Sequence, residues 1–453
     1  MRTCRMSSCS TTSGASCSRA QRTATLRRAA TDMTTAAVQG ARSDRPPAWL
    51  AGFKADYETV FVAGWSPYLG SILLVMVILG LMTSGLFWGV FGGLKLWGDW
   101  LNRLIGLGGA LQLPETLEEP LLHRMSLMNI TLVLGAFSAA LLSRQFQISR
   151  PPRLEYVWAA LGGSLMGLGA TLAGGCTTGG FFTPLLHSSP AGWAMWAGLL
   201  VGAVIGLKLL SWTLEHIEWG MQAPPTFAAP AGVVARYPWM GLALIMAIVA
   251  WAAQWYGSDN ERLAARAVIV LSGFAMGFIM HRSRLCFARA FREPFMTAEG
   301  EMTKAIMLGL AVGVPFAALL FKGKAIDPYI AIPATFWIGS LLGGLVFGVG
   351  MIFAGGCASG SLWRMGEGHL KLWVAVFFFA WSGSAASGLL KRAGLIVREM
   401  TLEEIEETRL GFQAYLPVML DGWGWALLAS GGLLLLWYSL VRYNESTEKF
   451  TVL

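Results

Sequence analysis

Two short stretches of this 453-residue chain, AGGCTTGG at 173–180 and AGGCASGS at 354–361, each set a cysteine among glycines and hydroxyl residues. Gly175, Cys176, Thr177 and Thr178 in the first, and Gly356, Cys357 and Ser359 in the second, make poor helix. Unwound backbone there frees amide N–H groups, and each turn adds a thiol and hydroxyls. Such a set suits a small anion that contains sulfur. Amides and hydroxyls donate to its oxygens, and a polarisable S–H group meets its sulfur. A lone cysteine in a helix is usually a small buried hydrophobe, but two in equivalent Gly-rich turns point to a shared role.

A third thiol, Cys286, lies in GFAMGFIMHRSRLCFARAFREPF, 273–295. Read as one helix, this stretch places Arg282 four residues before the thiol and Arg289 three after, on one face. Neighbouring guanidinium groups attract anions and favour a thiolate. The competing reading makes Arg282, Arg284, Arg289 and Arg292 a topology anchor with Cys286 a bystander.

The elements that must position these groups are apolar. Hydrophobic residues make up 55% of the chain and charged residues 13%, against roughly a quarter charged in soluble domains. Apolar runs long enough to cross a bilayer recur near 66–93, 126–142, 156–173, 192–212, 235–256, 264–280, 304–321, 335–353, 370–390 and 422–441. The expected fold is an all-α polytopic membrane protein with about ten transmembrane helices, because the runs are continuous rather than alternating. The net charge of +8 sits mostly in loops and at the amino terminus, which fits topology signals first and attraction for an anionic solute second.

LGGSLMGLGATLAGGCTTGGFF (161–182) aligns without gaps on LGGLVFGVGMIFAGGCASGSLW (342–363), with ten of 22 positions identical. FSAALL (137–142) likewise lies over PFAALL (315–320). The chain therefore reads as a tail 1–46, a first membrane repeat 47–263, a second repeat 264–441 and a short cytoplasmic tail 442–453. Arg144, Arg150 and Arg153 after the second span and the Arg282–Arg292 cluster after the sixth are both expected on the cytoplasmic side. Five spans per half make the repeats inverted, with the two Gly-Gly-Cys breaks meeting near the membrane centre from opposite faces. Gly163, Gly167 and Gly169, and Gly344, Gly348 and Gly350, are read as close-packing stripes.

Residues 1–46 are Ser-, Thr- and Arg-rich and read as a disordered basic tail, similar in composition to a transit peptide. Met33 is an alternative start, and Cys4, Cys9 and Cys17 have no ligand spacing. No Asp or Glu falls inside the apolar runs, so no carboxylate relay is visible. Lys208 reads as a lysine snorkelling from a helix end, His187 as a loop histidine and TLEEIEETRL (401–410) as an acidic interfacial helix. No ATP, nicotinamide or zincin motif is present, no metal site or cofactor is implied, and nothing suggests a nucleic-acid partner.

The duplicated Gly-Gly-Cys turns and the RSRLCFARAFR segment resemble the YeeE/YedE family of bacterial inner-membrane proteins, described as sulfur transporters, over nearly all of 60–441. The resemblance implies inward transport of thiosulfate, handed along cysteines by thiol-to-sulfur hydrogen bonds. Cys176 and Cys357 match the family's Gly-Gly-Cys positions, and Cys286 the arginine-flanked one. Thiosulfate importers of the family also carry an arginine-flanked cysteine in the first repeat, where this chain reads GLMTSGLFWGVFGG (80–93). Relatives linked to selenium metabolism make a selenium analogue the alternative cargo. A membrane sulfurtransferase, in which one cysteine takes a sulfane sulfur as a persulfide and releases sulfite, and a Cu(I) carrier using three thiolates are the readings from other classes. A soluble sulfur carrier or sulfurtransferase on the cytoplasmic side is the expected protein partner.

Overall fold

Backbone groups in lipid must pair within their own segment, so the apolar runs become helices. The computed structural model describes residues 55–217, 222, 229–323, 326–396 and 407–452. The expected tail 1–46, with Cys4, Cys9 and Cys17, and residues 401–406 lie outside the described residues. Residues 61–453 form one contact unit. Its main helices are α1 (Pro67–Thr83), α2 (Phe91–Leu104), α3 (Arg124–Leu142), α4 (Arg153–Leu172), α5 (Thr183–Leu186), α6 (Pro190–His216) and α7 (Tyr237–Tyr256). Then follow α8 (Glu261–Ser283), α9 (Phe287–Met296), α10 (Glu301–Lys322), α11 (Ile338–Ala354), α12 (Ala358–Glu367), α13 (Leu370–Arg392) and α14 (Trp423–Thr447). The order of longer and shorter helices in α1–α7 recurs in α8–α14.

Among the described residues nine spans are long and apolar enough to cross a membrane, or ten if Ala55–Val62 and α1 count as one. The chain is an all-α, multi-pass membrane protein. Trp239 and Met246 on α7, and Leu428 and Leu435 on α14, remain exposed, as lipid-facing side chains do. Starts are set locally. The side chains of Ser66, Ser189 and Asn260 accept backbone N–H groups at the starts of α1, α6 and α8, and Pro67 and Pro190 occupy first-turn positions.

The glycine stripes are where helices touch. A Cβ on Gly162 of α4 would stand 2.6 Å from the Gly350 carbonyl oxygen of α11, and one on Gly350 would stand 2.7 Å from that of Gly162. Gly169 and Gly343 are related the same way, at 2.7 and 2.6 Å. Rising numbers on α4 meet falling numbers on α11, so the two helices run antiparallel. Around this pair, α6 follows α11 in the same direction through Gly198, Gly202 and Gly206, and α13 follows α4 through Gly163 and Gly167. Contacts this close put backbone against backbone, where dispersion and Cα–H···O attraction hold helices together in lipid.

Two local expectations are corrected and one is refined. The run 66–93 is not one span: α1 stops at Thr83, Gly85 takes a left-handed φ of 69°, and α2 begins only at Phe91. Hydropathy does not register the break, because the residues of the turn are themselves apolar or small. His187 does lie in the turn after α5, yet it is fully buried, its Nδ1 2.9 Å from the Thr183 carbonyl oxygen and its ring 5.0 Å from Phe321. Where an acidic helix was expected, Glu407–Thr408 pairs with Gly411–Phe412 as a two-strand hairpin. Phe412 exchanges backbone hydrogen bonds with Phe336, and the Gly339 N–H donates to Leu410, so the start of α11 draws this segment into extended form. Lys208 is exposed on α6, as a snorkelling side chain requires.

Because Gly162 has no room for a methyl group, Gly162→Ala should lower stability in detergent by about 1–3 kcal/mol, read as a drop in melting temperature. Gly431→Ala on α14, where a Cβ would meet nothing within 4 Å, should leave the melting temperature unchanged or raise it slightly. Equal losses in the two variants would contradict the packing described.

Candidate functional site

Each described cysteine begins a helix just after a broken one. After α4, Gly174 turns left-handed at φ 70°, Cys176 is extended, and a π-helical turn Thr177–Phe182 runs into α5. After α11, Gly355 turns left-handed at φ 79°, Cys357 is extended, and α12 follows. The stretch around Cys286 repeats this plan. It is not one helix as expected: α8 ends at Ser283, Arg284 turns left-handed at φ 53°, and Cys286 precedes α9. In all three the left-handed residue stands two places before the cysteine. At the first two, glycine makes the turn without steric cost.

Helix starts carry orphan N–H groups and the positive end of the helix dipole, so an anion is favoured at each thiol. The Cys176 Sγ lies 3.0 Å from the Thr178 Oγ1, and the Cys357 Sγ 3.6 Å from the Ser359 Oγ. The Gly360 N–H donates to the Cys357 Sγ at 3.3 Å. Gly175 is tight against the backbone of Gly179 and Gly180, and a Cβ on Gly356 would stand 3.1 Å from the Ser361 Oγ. Thr177 Oγ1 and Ser361 Oγ are buried with no hydrogen-bond partner in the protein. An unmet buried donor costs about 1–3 kcal/mol, which a polar ligand would relieve.

Cys286 and Cys357 are brought together. A Cβ on Gly360 would stand 2.7 Å from the first sulfur and 3.1 Å from the second, so the missing side chain leaves them side by side. Trp363 of α12 fixes this juxtaposition by donating its indole N–H to the Leu285 carbonyl at 3.1 Å. Two guanidinium groups lie over its ring, Arg284 at 5.6 Å and Arg364 at 5.2 Å from the centroid. Cys176 is joined to this pair through aromatic rings instead. Phe182, on the turn that Cys176 begins, lies 5.3 Å from Phe287, the neighbour of Cys286. All three thiols are sealed from solvent, at most 1% exposed. Among the described residues no three His, Cys, Asp or Glu side chains form a metal-holding group, so these thiols do not converge as a Cu(I) site would require.

The arginines named from sequence have other partners. Arg282 is buried and donates to the Ala63 carbonyl, while its own carbonyl accepts from the Trp65 N–H at 2.9 Å. Arg289 pairs with Glu293 at 2.5 Å, one turn along α9. The two do not share a helical face with Cys286. Arg364, unremarked in the sequence, donates to the Gly355 carbonyl at 3.2 Å and so completes the second Gly-Gly-Cys turn. Arg284 joins the Glu367 and Gln145 side chains, each at 2.6 Å, and brings the two arginine-bearing loops to one end of the bundle. The opposite end holds Ser188 and Ser189, just past α5, against Ala414 and Leu416.

Sequence reasoning also missed a buried carboxylate. Asp99, six residues past the end of the first apolar run, accepts from Lys95 at 2.7 Å and from Ser384 of α13 at 2.5 Å. Asn102 extends this network to Trp381.

The family described as Sulphur transport matches residues 22–205 and 282–452. The chain is 28% identical over 301 residues to the probable transporter YedE of Escherichia coli K12, covering 64% of this chain and 72% of that one. It is 33% identical over 140 residues to the thiosulfate transporter TsuA of Spirochaeta thermophila, 30% of this chain and 42% of that protein. With the thiosulfate transporter TsuA of Escherichia coli K12 it shares 34% identity over 111 residues, 24% of this chain and 31% of the other.

The adjacent thiols give a direct test. Phenylarsine oxide, which bridges paired thiols, should add one arsenical per protein in intact mass spectra. Cys286→Ser and Cys357→Ser should each abolish the adduct and Cys176→Ser should not; an adduct that survives either of the first two would place the pair elsewhere.

Proposed function

Because the chain belongs to the sulphur transport family, we propose that it carries a small sulfur-containing oxyanion, thiosulfate foremost, inward across a bacterial inner membrane. Family membership makes it a membrane transporter rather than an enzyme. The observation that carries the choice of cargo is the seating of Cys176, Cys286 and Cys357, each at the start of a short helical segment behind a broken span. Helix starts draw the negative charge, and thiols offer a polarisable contact to sulfur. The TsuA relatives, named as thiosulfate transporters, support the same choice.

In this reading the anion moves by exchanging S–H···S contacts between successive thiols while Thr177, Thr178, Ser359 and nearby amides hold its oxygens. Cys286 and Cys357 form the short step of the relay. Phe182 and Phe287 lie between them and Cys176, and part as the anion passes. The halves act as inverted repeats, which the antiparallel α4–α11 pair and its reciprocal glycine contacts support. A soluble sulfur carrier receives the cargo at the cytoplasmic arginine-bearing end. A selenium analogue remains the second cargo, since the first repeat lacks the fourth cysteine and selenium is as polarisable a partner for a thiol as sulfur.

Uptake of labelled thiosulfate into proteoliposomes tests the proposal. Removing a thiol from a site that contacts a charged cargo should reduce uptake by about 10–100-fold in Cys176→Ala and Cys357→Ala, and Cys286→Ala should fall with them. Uptake that is indifferent to these thiols would refute the relay, and a folded parent without uptake would exclude thiosulfate. A persulfide mass on Cys286 or Cys357 would instead reveal sulfur transfer.

A further inference from the structure

Besides the three breaks that lead into a cysteine, the described residues hold a fourth of the same plan, between α1 and α2, that has none. Between α1 and α2, Gly85 takes the left-handed turn and Phe87 holds the place two residues on, where the other breaks have a thiol. The next residue, Trp88, is completely buried. Its ring packs 6.4 Å from Phe182 and 6.2 Å from Phe287, between the segment started by Cys176 and the residue beside Cys286. Thr183 donates to its carbonyl at 2.9 Å, which fixes the backbone there. Yet the indole Nε1 has no hydrogen-bond partner in the protein. A buried tryptophan usually satisfies its N–H, and leaving it unmet is unfavourable.

We infer that Trp88 contacts the cargo and sets its specificity, donating the indole N–H to an oxygen of the anion. The inference rests on the transport reading and deepens it. An indole N–H is a donor only and has no soft atom to offer sulfur. The fourth break therefore recognises the oxygen end of the anion, where the three thiols recognise the sulfur end. Such a site selects species that carry both ends, an oxyanion with a terminal sulfur or selenium. Hydrosulfide, which has no oxygen, gains from Trp88 only the weaker N–H···S contact.

The test compares thiosulfate uptake by the parent, by Trp88→Phe, and by protein carrying benzothienylalanine at position 88, which replaces the N–H with sulfur at nearly constant ring volume. Loss of one hydrogen bond to a charged ligand should raise KM by about tenfold in both, with maximal rate retained. Inhibition by sulfite should weaken in parallel, while any inhibition by hydrosulfide should change less. If Trp88→Phe does not fold, the benzothienylalanine protein decides. A parent-like KM and sulfite inhibition in either folded variant overturns the inference, even where the parent shows cysteine-dependent uptake. A folded parent without cysteine-dependent uptake overturns the transport reading and this inference together.

Discussion

Everything at the centre of the molecule hangs on α4 and α11 meeting without side chains between them. Gly162 faces Gly350 and Gly169 faces Gly343, each pair related to the other by exchange of the two helices. Lipid offers no hydrophobic drive for helix association, so close backbone approach has to supply the attraction. Once that pair is fixed, α6 and α13 have only one way to lie, each along a glycine-bearing face. The broken ends of α4 and α11 are thereby carried into the interior rather than left at a surface.

Breaking a helix inside an apolar bundle frees backbone groups that cost several kcal/mol each if left alone in hydrocarbon. Side chains take up carbonyls at the breaks around Gly85, Gly174, Arg284 and Gly355. Asn129 donates to Val90, Thr335 to Ala173, Trp363 to Leu285 and Arg364 to Gly355. Asn129, Thr335 and Trp363 reach their turns from other segments, and Arg364 reaches back to Gly355 from the helix that the turn itself begins. The N–H groups and thiols on the inner side of the turns are what remain for a ligand.

Spacing and composition carried some of this and not the rest. The Gly-Gly-Cys turns were legible because glycine and cysteine are out of place in an apolar helix, and the glycine stripes because their four-residue spacing has one common use in membranes. The Cys286 break was not, since its left-handed residue is Arg284 and an arginine-rich stretch reads as continuous helix. The break at Gly85 was hidden for a related reason, being flanked by residues as apolar as the helices they separate. Pairings across the fold are absent from local pattern altogether: Asp99 with Ser384, Arg282 with Ala63, and Arg284 over the Trp363 ring depend on which segments pack together. Trp88 is the instructive case. Its environment is remarkable only for a missing partner, and a sequence does not display what a side chain lacks.

The burial of the three thiols has a chemical consequence of its own. Oxidation of cysteine climbs from sulfenic to irreversible sulfinic and sulfonic acids, and it needs access for a water-borne oxidant. With Cys176, Cys286 and Cys357 at most 1% exposed, peroxide in the surrounding water has no line of attack on the resting protein. The same burial thus keeps all three thiols in their reduced form for as long as the bundle stays closed.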